Sequence, residues 1–159
     1  MGLLVKVDGS NKEFELVEDL LQPGVLADVV DKGEVENTFK PGTKVHKAYF
    51  VWIVVEEDSD GNNKRVFQSF TVSMNPKATL RKLYKSLTGK TDEEIDAMDN
   101  VDLEALIGTK RMLVMSKEDG DNGKPYVKIT ATMPLKRGQT APDIPADFVR
   151  KQDKDGSKN

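Results

Sequence analysis

A change of hydrophobic period in mid-chain constrains this sequence more than any other feature. From Val66 to Met74 the residues VFQSFTVSM alternate, so Phe70, Val72 and Met74 share one side and Phe67, Ser69, Thr71 and Ser73 the other. Beyond a short NPK turn the spacing becomes helical, with Leu80, Leu83, Tyr84 and Leu87 at i, i+3, i+4 and i+7. Asn75 suits the N-cap of that helix and Pro76 its first position, while Gly89 stands where a helix end favours a residue without a Cβ. A strand that runs directly into an amphipathic helix is predicted, and its neighbours must be compatible with that junction.

The flanking segments supply more strands. The Val-rich VLADVVDKGEVE that follows Pro23 reads as a first strand, ended by the turn signal FKPGTK at Phe39 to Lys44. VHKAYFVWIVV, Val45 to Val55, is the second, and the polar EEDSDGNN joins it to the third as a long hairpin. After the helix, Thr91 and Glu94 form a capping-box pattern before Ile95 and Met98, and Asp102 caps a short LEALIG helix that stops at Gly108. RMLVMSK from Arg111 and KPYVKITATM from Lys124, joined by EDGDNG, complete the series. The class is mainly β: three strands, a helical insert, two strands. A five-stranded barrel with its helix between strands 3 and 4 is the OB-fold, whose open face commonly takes oligonucleotides or oligosaccharides. A flat five-stranded sheet backed by a helix has the same element string; the barrel is the expectation carried forward. The predicted organisation is an N-terminal segment, 1–22, which either adds a strand or covers the barrel; an OB-fold domain, 23–137; and a Pro-punctuated polar tail, 138–159, with its last dozen residues disordered.

Charge is segregated along the chain. Lys64 to Thr91 carries seven Lys/Arg and no acid, and Asp92 to Glu104 carries seven acids and no base, in a protein of net charge −3. Salt screens beyond about 8 Å, so a local basic patch can meet a polyanion despite the overall sign. Arg81, Lys82 and Lys85 read as the solvated outer face of the helix.

Several chemistries are excluded. With no cysteine, disulfides and thiolate catalysis are absent; His46, the sole histidine, stands in a predicted strand with no Ser-Gly elbow elsewhere to supply a nucleophile, and no metal site or cofactor is expected. Gly89-Lys90-Thr91 ends like a phosphate-binding loop, but Tyr84 occupies the required earlier glycine position. Asp58, Asp60 and Gly61 lack calcium-loop spacing, since Gly61 follows Asp60 directly and position 67 is Phe67. The apolar run Leu3 to Val5 is too short for a membrane span, and Lys6 stands where a myristoylation signal needs Ser or Thr. A non-enzymatic protein of the cytoplasm, with no membrane partner, is expected.

Alternation divides the aromatics between two faces. Ala48, Phe50, Trp52 and Val54 form the predicted core side of the second strand, with Trp52 inside; Lys47, Tyr49, Val51 and Ile53 face the other way. On the third strand Phe67 shares its side with Arg65, Ser69 and Thr71, and on the fifth Tyr126, Lys128 and Thr130 lie opposite Val127, Ile129 and Ala131. An aromatic and a cation outward on each of three strands is the composition that single-strand binding uses, with bases stacking on rings and cations following phosphates. The candidate nucleic-acid-binding residues are Lys44, Lys47, Arg65 and Lys128 for phosphates and Tyr49, Phe67 and Tyr126 for bases, in a groove of strands one, two, three and five. The same Tyr49 and Phe67 also suit a cross-strand pair that only stabilises the hairpin.

Over about Pro23 to Leu135 the chain resembles a family of phage-encoded, OB-fold, single-stranded-DNA-binding-like proteins. The likeness is carried by PG at Pro23, KAYFVWIV, FTVSMNPKATLRKLYKSLTGKT, DEEIDAM leading to VDLEALIGTK, and DNGKPYVKITATMPL. It implies sequence-tolerant binding of single-stranded DNA in bacteriophage or mobile-element DNA replication or DNA recombination, in the host cytoplasm, with replication or recombination proteins as further partners. The ending RKQDKDGSKN departs from the acidic tip with which many single-strand binders recruit such proteins. The alternative is a protein-interaction module of phage origin that docks a host or replisome protein through the barrel face or the acidic insert.

Overall fold

The computed structural model describes residues 15–37, 40–120 and 123–150. Five strands, β1 (Leu21–Glu36), β2 (Lys44–Glu57), β3 (Asn63–Thr71), β4 (Lys110–Asp119) and β5 (Pro125–Met133), form one antiparallel sheet in the order β3-β2-β1-β4-β5. Helices α1 (Thr79–Thr88) and α2 (Asp92–Asp96) and a 3₁₀ turn (Leu103–Leu106) lie between β3 and β4. The mainly β class, the five strands and the helical insert are as predicted. Among the described residues no helix is long and apolar enough to cross a membrane.

β1 organises the sheet. It pairs with β2 from Gly24 to Glu36 and with β4 from Leu21 to Val25, so both neighbours meet at its start. That crossing is tight: a Cβ on Gly24 would stand 2.8 Å from Leu113 Cδ1 and 3.2 Å from the Ile53 carbonyl oxygen. Register shifts at Leu26/Asp28 and Asp31/Gly33 bend the strand, the second with Gly33 at φ 72° and its amide donating to Asp31 Oδ1 at 2.7 Å. The two edge strands, β3 and β5, come within 8 Å of each other, Cα to Cα, and the hydrogen-bonded ladder of the described residues ends on them.

One core collects side chains from all five strands, including Leu26, Phe50, Trp52, Phe70, Leu113 and Ile129. Trp52 is fully buried, as parity predicted, and its Nε1 donates to Gln68 Oε1 at 3.0 Å. Phe50 and Phe70 meet edge to face at 4.7 Å. α1 lays Leu80, Leu83, Tyr84 and Leu87 on the same core.

The junction between β3 and α1 differs from expectation. The strand ends at Thr71, although the Val72 amide still donates to the His46 carbonyl at 2.8 Å. Asn75 does not cap the helix: its Oδ1 accepts from the Lys77 amide at 3.1 Å, and its carbonyl from the Ala78 amide at 2.8 Å, making a turn before Ala78, which takes the N-cap position without a side-chain bond. At the other end Gly89 closes α1 at φ 75°, and Thr91 and Glu94 form the predicted capping box.

Arg81 is the main correction on the helix. Predicted as solvated, it is 4 % exposed and donates to Asp92 Oδ1 at 3.0 Å, Asp96 Oδ1 at 2.9 Å and the Met74 carbonyl at 3.0 Å. Lys85 reaches Asp92 Oδ2 at 2.8 Å, and Lys85 and Arg81 together hold that carboxyl below its ordinary range. The acidic run thus folds back onto the basic helix, leaving Lys82 as the exposed cation of the three.

Both flanking segments pack against the sheet. Of the predicted N-terminal segment, residues 1–14 lie outside the described residues; 15–20 cover the end of the core with Val17, and Leu21 already belongs to β1. In the tail, Ala141 is buried, and Ile144 and Phe148 pack on Val25, Ala27 and Ile53. Arg150 reaches Asp28 Oδ1 at 2.8 Å and Glu104 Oε2 at 3.0 Å, so the tail is docked as far as Arg150, into the stretch predicted to be disordered; its remainder, 151–159, lies outside the described residues.

Candidate nucleic-acid interface

The outer side of β2 and β3 follows the alternation. In their register Lys47 stands opposite Thr71, Tyr49 opposite Ser69, Val51 opposite Phe67 and Ile53 opposite Arg65. Tyr49 and Phe67 are thus diagonal neighbours, and their rings meet edge to face at 6.0 Å. On β5, Tyr126 and Lys128 point away from the buried Val127 and Ile129, opposite Glu118 and Ser116 of β4. The Tyr126 hydroxyl donates to Glu118 Oε1 at 3.4 Å, and Ser116 Oγ donates to Glu118 Oε2 at 2.9 Å.

The gap between the two edge strands gathers much of this set. A cleft of about 650 Å³ is lined by Arg65, Phe67 and Ser69 of β3, by Lys124, Pro125 and Tyr126 at the start of β5, and by Glu15, Leu16 and Val17 at its base. Its volume lies in the range of small-molecule sites, roughly 300 to 1,000 Å³. Phe67 and Tyr126 keep 40 % and 42 % of their surface exposed there, apolar area that a stacked ligand would cover. The acid that lines the cleft is engaged: the Glu15 carboxylate accepts from Ser59 Oγ and, at 3.1 Å, from its amide, and these bonds hold its pKa below the ordinary value.

The other candidates are placed differently. Lys47, half-buried, and Tyr49 extend the surface along β2 from Phe67. Lys128 is exposed farther along β5. Lys44 is exposed at the start of β2 opposite Glu36, on the alternation side of Ala48 and Phe50 and not that of Lys47. Arg65 stacks its guanidinium 5.0 Å from the centroid of the Phe148 ring, so the C-terminal segment covers this end of the outer face. That cover has no signature in the strands themselves. Lys124, by contrast, was available to alternation, since it shares parity with Tyr126 and Lys128 and differs only in standing one residue before β5.

The arrangement can hold planar rings against Phe67, Tyr126 and Tyr49 and present cations to an anionic backbone. Among the described residues no group of three or more His, Asp or Glu side chains is placed to hold a metal ion. Compared with known proteins, the chain matches no family model and no curated protein.

Proposed function

We propose that this protein binds single-stranded DNA without sequence preference and without catalysis, on an OB-fold barrel whose β3 and β5 edges flank the binding cleft. The order β3-β2-β1-β4-β5, with its edges within 8 Å and α1 between the third and fourth strands, supports the barrel reading. One observation carries the binding reading: Phe67 and Tyr126, from strands far apart in sequence, stand exposed on a single cleft with Arg65 and Lys124. Rings of this kind contribute about 1 to 3 kcal/mol per stacked base, and two stacks with a few phosphate contacts approach the roughly 8 kcal/mol of micromolar binding. A role in phage or mobile-element replication or recombination, in the host cytoplasm, follows from the resemblance noted above.

Titration of labelled oligo-dT at several salt concentrations tests the proposal. Binding near 1 μM is expected at low salt, with a log-log slope of about −0.7 for each phosphate neutralised. Tyr126→Ala should weaken it by about 1 to 3 kcal/mol with little change in folding stability. Absence of binding at low salt overturns the reading, and a Tyr126→Ala variant that binds normally removes the cleft from it.

A further inference from the structure

The acidic insert borders a second concave surface, remote from Phe67 and Tyr126 along β3. A cavity of about 410 Å³ lies between the residues that leave β3, Val72 and Met74, and the insert, where Met98, Val101 and Leu103 complete its floor. All five are only half-buried while packed against the main core, so the floor is apolar and open. Asp96 and Asp99 stand on its rim.

Acids outnumber cations at this groove: Asp96 and Asp99 line it with one cation, Arg81. Asp92 to Glu104 contains seven acids and no base. Arg81 is already committed to Asp92 and Asp96, and Lys85 of the same helix to Asp92, which leaves Asp99, exposed at the mouth, as the rim acid without an ion pair among the described residues. A phosphate backbone is repelled by such a rim. An apolar floor containing two methionines inside an acidic border suits the opposite charge on a chain with its own apolar side chains, because methionine adapts its shape to varied partners.

We infer that this groove docks a basic, amphipathic segment of a partner protein, with two or three apolar side chains on Val72, Met74, Met98, Val101 and Leu103 and Lys or Arg beside Asp96 and Asp99. The site is separate from the proposed DNA cleft, and either can fail without the other. Arg81 fixes its geometry by tying α1 to Asp92 and Asp96 on one side and to the Met74 carbonyl on the other.

Three synthetic peptides of equal length, added to the full chain with labelled methionine methyls, provide the test: one repeating Lys-Leu-Leu-Lys, one with its lysines replaced by Glu, one with its leucines replaced by Ser. The first should bind and shift the Met74 and Met98 methyl signals while leaving the strand-core Met112 and Met115 in place. The other two should bind at least about tenfold more weakly, since each lacks one half of the complementarity. Asp99→Lys, a change at an exposed position, should weaken the first peptide by about fivefold. The inference is overturned if the first peptide does not bind, if all three bind alike, if binding leaves Met74 and Met98 unmoved, or if oligo-dT shifts the same two methyls.

Discussion

The outer side of the β2–β3 hairpin has two halves that local sequence does not distinguish. In one, Tyr49 and Phe67 meet at 6.0 Å, and Phe67 remains 40 % exposed. In the other, one step along the same register, Ile53 is 2 % exposed and Arg65 lies over the Phe148 ring. Both halves alternate correctly and both combine apolar with basic residues. The difference is imposed by a segment remote in sequence, fastened by Arg150 to the buried Asp28 and by Lys110 to Asp143 at 2.6 Å. An outward-facing pattern on a strand therefore defines a surface only where no later segment returns to cover it.

Breaking the fastening should have the largest effect. Arg150→Met would leave the Asp28 carboxylate, 2 % exposed, without its guanidinium, and we expect a loss of about 3 to 4 kcal/mol in urea unfolding. Faster proteolysis within residues 141–150 should accompany it. A variant as stable as the parent would show that the covered half does not depend on this pair.

The open half has its own fastening. The Glu56 carboxylate accepts from the amides of Glu18 and Asp19, each at 3.0 Å, from Gln22 at 3.1 Å and from Lys64, holding residues 15–20 beside the cleft. Burial by itself would push this carboxyl up, but the Asp19 amide, Lys64, the Glu18 amide and Gln22 outweigh it and hold the pKa at about 2, against an ordinary 4.5. Because the folded value is the lower one, the stabilisation is complete above the unfolded value near 4.5 and is lost as pH falls through about 2. We expect about 2 to 3 kcal/mol to disappear over that window. Glu56→Gln should be less stable by a similar amount at neutral pH and flatter in acid. A parent whose stability does not change between these pH values would contradict the network.

These two fastenings mark the limit of what was legible beforehand. The five strands, the capping box at Thr91 and the burial of Trp52 followed from alternation and cap chemistry, which act within a few residues. The outward placement of Tyr49, Phe67 and Tyr126 was legible for the same reason. Arg81 was not, because the acids that bury it, Asp92 and Asp96, come from the next helix, so its outward helical position gave the wrong expectation. Phe67 and Tyr126 were expected in one groove only through the barrel reading, and Lys124, which lines their cleft, was passed over because it stands one residue before β5. Asn75 shows the converse: its capping propensity was real but was used in a turn.

The smallest effect gives the sharpest separation of the halves. Phe148→Ala removes the ring under Arg65 and part of the cover on Ile53, and should cost about 1 kcal/mol of stability, most of it the cation–π contact and partial burial. Arg65 keeps its charge in that variant, so the salt dependence of oligo-dT binding should not change. If the ligand uses the open half, affinity should move by less than about threefold, because the stacking energy resides in Phe67, Tyr126 and Tyr49. A gain of about tenfold would instead mean that the ring occupies a place a base would take. The covered and open halves would then be one surface, partly filled by the chain's own C-terminal segment.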